Sequence, residues 1–390
     1  MGSIVQWHTS RRGQIIVKRI TIGTLDIDGS EKAKVIETID SGFLSAGPAI
    51  DEFEERIADR HGKKYGIFVN SGQSALEVSL VLAQEYLGIH NRPLTVLVPT
   101  TTYAATLWAV LNTGNIPIFC DIDPRTFCID YTKVSGEEYD IALPVDLCGH
   151  SAGHPPDATK FTVEDACEAA GNLECTYGDI VCLSFYVAHI ITTGSGGMLC
   201  LNDRHLADYA RSYITHGRKF GGDFTKYNDM WVDRFCFDKV GTSFRGNALE
   251  AAFGLAQVDK LDGIIQKRKE NARYLYKLWQ DSDFCHRVRF PDMDYVSKCI
   301  FQFFPIILDA ELTREKVLKS LFAKGIDSRV LLPLTNQPIF RQMYGNIEHK
   351  YPASKFINSQ GFIVGCHQGL TTEDIDYMFD ALCQAVREQD

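Results

Sequence analysis

The sequence predicts an α/β protein: a large domain with a mainly parallel sheet sandwiched by helices, then a smaller C-terminal α+β domain. Three observations carry this. Between about residues 65 and 202, short β-rich runs alternate with helical patterns. The runs are apolar on both faces, as strands buried between two helix layers must be. A long amphipathic pattern beginning at Ala248 then separates this region from a second, mixed one.

The strand-like runs are Tyr65 to Asn70, Thr95 to Pro99, Ile116 to Ile122, Ile141 to Asp146, Phe161 to Asp165, Ile180 to Tyr186 and Met198 to Leu201. The stretch His216 to Gly246 is polar, Gly-rich and aromatic, which fits a long functional loop better than a core element. Ala248, Ala252, Leu255, Val258, Leu261 and Ile265 recur every three to four residues, and the pattern continues through Tyr274 and Leu278. A helix of this length commonly joins two domains. Beyond it, Phe301 to Leu308 is strand-like, and Arg314 to Lys324 and Thr372 to Val386 are helical. The expected division is an N-terminal segment 1–40 packing on the small domain, a large domain 41–260 and a small domain 261–390.

With 390 residues, 45% hydrophobic and 23% charged, the chain is ordinary soluble globular material. A formal net charge of -10 disfavours nucleic acid and anionic membranes as general partners, while leaving room for a local basic pocket around a phosphorylated ligand. No stretch approaches the roughly 18 apolar residues of a membrane span. Arg11, Arg12 and Lys18 interrupt any signal-peptide core, so the cytoplasm is the expected location. The twelve cysteines are scattered singly without a C-x-x-C pair, which suggests reduced core residues and no metal site.

Chemistry concentrates at the strand ends. Asn70-Ser71-Gly72-Gln73-Ser74-Ala75-Leu76 ends a strand and opens a helix, so free N–H groups converge there as an anion site; Ser-Gly before a helix is also an ordinary N-cap. Val98-Pro99-Thr100-Thr101-Thr102-Tyr103 puts an aromatic just past a buried strand, able to stack on a flat ring or simply to pack under a loop. Val163-Glu164-Asp165-Ala166-Cys167-Glu168 brings carboxylates to another strand end, where so apolar a setting demands a cationic partner. Finally, Ser184-Phe185-Tyr186-Val187-Ala188-His189 opens a small, Gly-rich loop. His189 there is either structural or a proton carrier.

Taken in order, these segments resemble the sugar-aminotransferase and dehydratase family of fold-type I pyridoxal-phosphate enzymes. The resemblance starts at Ser41-Gly42-Phe43-Leu44-Ser45-Ala46-Gly47-Pro48 and also takes in Asp121-Ile122-Asp123 and the run Arg245 to Gln257. It implies that Gly72, Gln73, Ser74 and Ser184 hold the cofactor phosphate, that Tyr103 stacks on the ring, and that Asp165 pairs with the pyridinium nitrogen, with Glu168 nearby. It implies a homodimer, because the neighbouring subunit completes the site. Ser243 stands where the family's phosphate-binding Asn would be, and Arg245 and Arg329 are candidates for the substrate phosphates.

Where the aminotransferases carry the lysine that binds the cofactor covalently, this chain has His189. The same exchange marks the GDP-4-keto-6-deoxymannose 3-dehydratase branch. Asp165-Ala166-Cys167-Glu168, Thr335-Asn336-Gln337-Pro338 and Val364-Gly365-Cys366-His367-Gln368 also resemble that branch. The implied function is C3 deoxygenation of a 4-keto-6-deoxy sugar nucleotide, with pyridoxal 5'-phosphate / pyridoxamine 5'-phosphate as cofactor, glutamate as amino donor and His189 as acid and base. A related CDP-sugar enzyme holds an iron–sulfur cluster on clustered cysteines. His216 to Asp238 holds only Cys236, so no cluster and no reductase partner are expected. The rivals are a transaminase or decarboxylase of an unusual amino compound, and an inert cofactor-binding protein. Asp146 in the Leu-x-Gly turn and the run Arg218 to Gly222 depart from the family pattern.

Overall fold

The computed structural model describes residues 19–134, 138–219, 235–284, 286–331 and 334–389. Helices α1 (Gly29–Ser41) and α2 (Pro48–Arg60) precede an alternation of β1 (Tyr65–Val69), α3 (Gly72–Leu87), β2 (Thr95–Pro99), α4 (Ala104–Asn112) and β3 (Ile116–Cys120). Strands β4 (Ile141–Ala142), β5 (Val163–Asp165), β6 (Ile180–Ser184) and β7 (Gly197–Leu201) follow, then α5 (Arg204–Tyr213). Every strand-like run of the sequence up to residue 202 becomes a strand of one sheet.

Strands β1, β7, β6 and β5 are joined in that order, as are β3, β2 and β4. Parallel bridges Ala142 to Thr162 and Val145 to Asp165 join β4 to β5, giving the order β3-β2-β4-β5-β6-β7-β1. Only β7 runs antiparallel to its neighbours. The parallel strands β1, β2, β5 and β6 therefore end at one edge, where chain reversals gather ligand-binding groups. On β6, Ile180 and Cys182 pack with α3 and α5 residues such as Leu76 and Leu206. Val181 and Leu183 face the other way, toward Phe53, Ile57 and Leu255. This period-two alternation between two apolar layers explains why both faces are hydrophobic.

Helix α6 (Ala248–Gln280) starts at a capping box, with Asn247 accepting from the Glu250 N–H at 3.0 Å and Glu250 accepting from the Asn247 N–H at 3.3 Å. It runs unbroken across the expected domain boundary at 260. Beyond it, β8 (Val288–Arg289), α7 (Met293–Lys298), β9 (Phe304–Leu308), α8 (Arg314–Ala323), β10 (Ser328–Val330), α9 (Pro338–Tyr344), α10 (Pro352–Gln360), β11 (Gly361–Val364) and α11 (Thr372–Arg387) form the α+β part. Its antiparallel sheet has the order β10-β11-β9-β8. The strand expected from Phe301 begins only at Phe304, because Phe301 has φ of 55° and cannot extend the ladder.

Residues 1–18 of the N-terminal segment lie outside the described residues. Ile20 bonds Gly325 and Asp327 of the small part, at 2.9 and 2.8 Å. Helix α1 instead lies along α6, where Glu31 meets Lys260 at 2.5 Å and accepts from Gln257 at 2.6 Å. Among the described residues no helix is long and apolar enough to cross a membrane. The eleven described cysteines are free, and nine of them are buried, consistent with core packing.

Candidate active site

The turn from β1 into α3 serves both purposes open to it. Ser71 is the N-cap, its hydroxyl accepting from the Ser74 N–H at 3.1 Å. That leaves the N–H groups of Gly72 and Gln73, in the first turn, without a protein acceptor among the described residues. Ser74 donates to the Asn70 side chain at 2.7 Å, and Gln73 to Glu77 at 2.8 Å. Gly72 is required here. A Cβ at that position would stand 2.7 Å from Ser184 Cβ and 2.9 Å from the Cys167 sulfur. Its absence lets the end of β6 press against the helix start. The Ser184 hydroxyl accepts from the Tyr186 N–H at 3.4 Å, so its own proton is free to join the N–H groups as an anion donor.

Asp165, at the end of β5, is 4% exposed. Its carboxyl accepts from the Thr106 hydroxyl at 2.8 Å and the Cys167 N–H at 3.3 Å. No lysine or arginine among the described residues pairs with it, and burial raises its pKa. A buried carboxyl held only by neutral donors leaves room for a cationic partner, a role that a protonated ring nitrogen would fill. Thr106 sits one turn into α4, three residues after Tyr103, and the sequence reading missed it. The Thr-rich run Thr100-Thr101-Thr102 was the available signal. Tyr103 ends the loop before α4 and is 65% exposed, which leaves its ring available for stacking. Glu168 accepts from the Cys148 N–H at 2.7 Å, and burial pushes its carboxyl up to about 7.

His189 lies in the connection from β6 to β7. The turn closes through its N–H to the Tyr186 carbonyl at 2.9 Å, and the loop hangs from fully buried Phe185, which packs on Phe53 with ring centroids 5.1 Å apart. Nδ1 is 3.2 Å from the Ser184 carbonyl. A carbonyl only accepts, so Nδ1 carries the proton and Nε2 holds the lone pair. Desolvation lowers the ring's pKa to about 4, which keeps it neutral at physiological pH. Tyr186 sits edge-on to it at 6.2 Å.

The remaining predicted residues lie farther out. Ser243 and Arg245 are exposed and bonded to each other at 3.3 Å, on a segment that bridges Val69 at the end of β1. Arg329 is on β10, beside Arg19, Phe322 and Asp327, among residues of the N-terminal segment and small sheet rather than of the large-sheet edge. Of the loop His216 to Gly246, residues 220–234 lie outside the described residues, as does most of the run Arg218 to Gly222.

Asp146 has a structural consequence on the opposite side of β5. It and Glu164 are both 0% exposed, and with the Cys175 sulfur their oxygens lie within 4.8 Å of one another. Oδ1 of Asp146 accepts from Ala152 N–H at 2.7 Å and Tyr177 hydroxyl at 3.0 Å, whereas its Oδ2 and Oε1 of Glu164 have no partner among the described residues. The Lys63 ammonium, 2.6 Å from the Gly178 carbonyl, lends a single positive charge nearby. One proton shared by the two carboxyls satisfies both orphan oxygens and neutralises the cluster. Burial raises both pKa values, so this stabilisation is complete below the unfolded pKa of about 4 and is lost as pH rises through the folded values. Asp146→Asn, which donates permanently to Glu164, is expected to raise the melting temperature, and more at pH 8 than at pH 5. An equal gain at both pH values in thermal denaturation would refute the shared proton.

Residues 25–383 match the DegT/DnrJ/EryC1/StrS aminotransferase family. The GDP-perosamine synthase of Caulobacter vibrioides is 31% identical, with 94% of this chain and 98% of that protein covered. The GDP-4-keto-6-deoxy-D-mannose 3-dehydratase of Yersinia pseudotuberculosis is 25% identical, with 91% and 96% covered. Among solved structures, E. coli GDP-4-keto-6-deoxy-D-mannose-3-dehydratase with bound hydrated PLP superposes with a TM-score of 0.83 at 21% identity, covering 93% of this chain and 99% of that one. The fold is therefore the fold-type I architecture expected from the sequence.

Proposed function

This chain belongs to the DegT/DnrJ/EryC1/StrS aminotransferase family, and we propose that it removes the C3 hydroxyl of a 4-keto-6-deoxy sugar nucleotide, using a vitamin B6 cofactor and glutamate. The observation that carries this is His189 in the β6–β7 loop, with Nδ1 committed to the Ser184 carbonyl and Nε2 left as a base. An imidazole forms no stable covalent link to the cofactor aldehyde, but it takes and returns protons.

In this proposal the Gly72 and Gln73 N–H groups, Ser74 and the Ser184 hydroxyl hold the cofactor phosphate, Tyr103 covers the ring, and Asp165, oriented by Thr106, meets the ring nitrogen. When bound as the amine, the cofactor supplies the nitrogen that condenses with the substrate's 4-keto carbon and a ring that withdraws electrons. Nε2 of His189 would take a proton from that side arm and hand it to the C3 hydroxyl, which would leave as water. Glutamate and the 4-keto sugar thus become 2-oxoglutarate, ammonia and the 3-deoxy-4-keto sugar. A second copy of the chain contributes Ser243 to the cofactor phosphate, and Arg245, exposed beside β1, is assigned to the substrate phosphates, whereas Arg329, at the small sheet, is left without a role. The enzyme works in the cytoplasm as a homodimer, without a reductase partner.

Transamination is the second reading, favoured by the 31% identity to a GDP-perosamine synthase. Nitrogen decides between them. With glutamate and a panel of 4-keto sugar nucleotides, the deoxygenase releases one ammonia per 2-oxoglutarate and its product lacks one oxygen by mass spectrometry. A product that retains nitrogen as an amino sugar overturns the proposal.

A further inference from the structure

Three features outside the set assigned above converge on the His189 loop. Arg268 of α6 is 1% exposed, and among the described residues no carboxylate pairs with it. Its Nη1 donates instead to the carbonyls of Phe301 and Gln302, both at 3.0 Å. Phe301, fully buried and stacked on Phe304 with centroids 5.6 Å apart, is held at φ of 55°, a conformation that costs a non-glycine residue about 1–3 kcal/mol and persists only where its surroundings impose it. The same segment is pinned to the large domain by the Ile300 N–H to Gly149 at 3.1 Å and the Gln302 N–H to Cys148 at 2.9 Å. What this strained, cation-braced segment presents is the Gln302 side chain, whose amide N–H donates to the carbonyl of Ala188, the residue before His189.

We infer that Gln302 is a positioning residue for His189: braced by Arg268, its amide clamps the Ala188 carbonyl and holds the imidazole with Nε2 toward the reacting carbons. Three hydrogen bonds then define the ring: the His189 N–H to Tyr186, Nδ1–H to Ser184, and Gln302 to Ala188. Two come from the loop itself. The third comes from residue 302, so the small domain's docking sets the orientation of the base. The inference rests on His189 being the proton carrier.

Gln302→Leu keeps the side chain's bulk and removes an amide whose Oε1 has no partner among the described residues, so the fold is little affected. The Ala188 carbonyl is left free and the loop can shift, for which about a 10- to 100-fold fall in kcat is expected, with KM for the sugar nucleotide unchanged. In a His189→Asn background the same substitution should cost nothing further. Equal losses in both backgrounds mean that Gln302 is merely structural, and no loss with His189 present also overturns the inference. Gln302→Glu donates only when protonated, so its rate relative to the parent should rise as pH falls; a flat ratio counts against the clamp. A further readout needs no cofactor: 15N spectra of the His189 ring should show a single Nδ1–H tautomer in the parent and a mixture in Gln302→Leu, and identical spectra would refute the role. If His189→Asn alone keeps full rate, the assignment of His189 fails, while the ring spectra still test Gln302.

Discussion

His189→Asn is expected to lower kcat for ammonia release by about 10²- to 10⁴-fold, the usual range for loss of a general acid–base, while cofactor affinity holds. Asn can keep a hydrogen bond to the Ser184 carbonyl, which the imidazole Nδ1 approaches at 3.2 Å, so the loop retains its shape and only the proton carrier disappears. The pH profile makes the same point. A base must be neutral to act, and desolvation lowers the ring to about 4, so kcat/KM should be level through neutrality and fall as pH drops through about 4. A variant with parental turnover would refute the assignment, whereas an acid limb near 6.5 would show that the ring works without the desolvation. His189→Lys restores an amine able to bind the cofactor covalently. Its product is then expected to retain nitrogen.

Asp165→Asn separates what the fold needs from what the cofactor needs. Burial raises the carboxyl's pKa, so its charge opposes folding once the pH rises above the unfolded value of about 4. Without cofactor the variant should melt at the same or a higher temperature at pH 8, since the Asn oxygen still accepts from Thr106. With cofactor the balance reverses. Removing one partner of a buried charge pair costs about 2–5 kcal/mol, so the cofactor Kd should weaken by roughly 30-fold or more. Thermal shifts with and without pyridoxal phosphate measure both terms, and an unchanged Kd would remove Asp165 from the cofactor site.

Particular residues show where sequence reasoning reached its limit. The strands up to residue 202 were legible because apolar residues on both faces can only be buried between two layers. The Ser71-Gly72 turn announced itself as a helix start, but the reason for Gly72, the approach of Ser184 and Cys167 from other strand ends, depends on the sheet order. Phe301 read as the first residue of a strand because its hydrophobicity matches its neighbours, and a positive φ leaves no mark on an aromatic side chain. Nothing local marks Arg268 among the charges of the long helix, and only the packing of α6 buries it against the carbonyls of residues 301 and 302.

Sequence by itself determined the α/β class, the order of the strand-end motifs and the presence of His189 in place of a lysine, because composition, periodicity and local turn chemistry are properties of neighbouring residues. Only the tertiary structure decided which way the adjacent carboxylates Glu164 and Asp165 face. Alternation along β5 sends Asp165 to Thr106 and Glu164 to the opposite side, toward Asp146 and Lys63. It likewise decided that Gln302 reaches the carbonyl beside His189, across a sequence separation of 114 from Ala188, and that Arg329 lies at the small sheet. Such contacts depend on strand order and on the docking of one layer against another, and neither is written in any local run of residues.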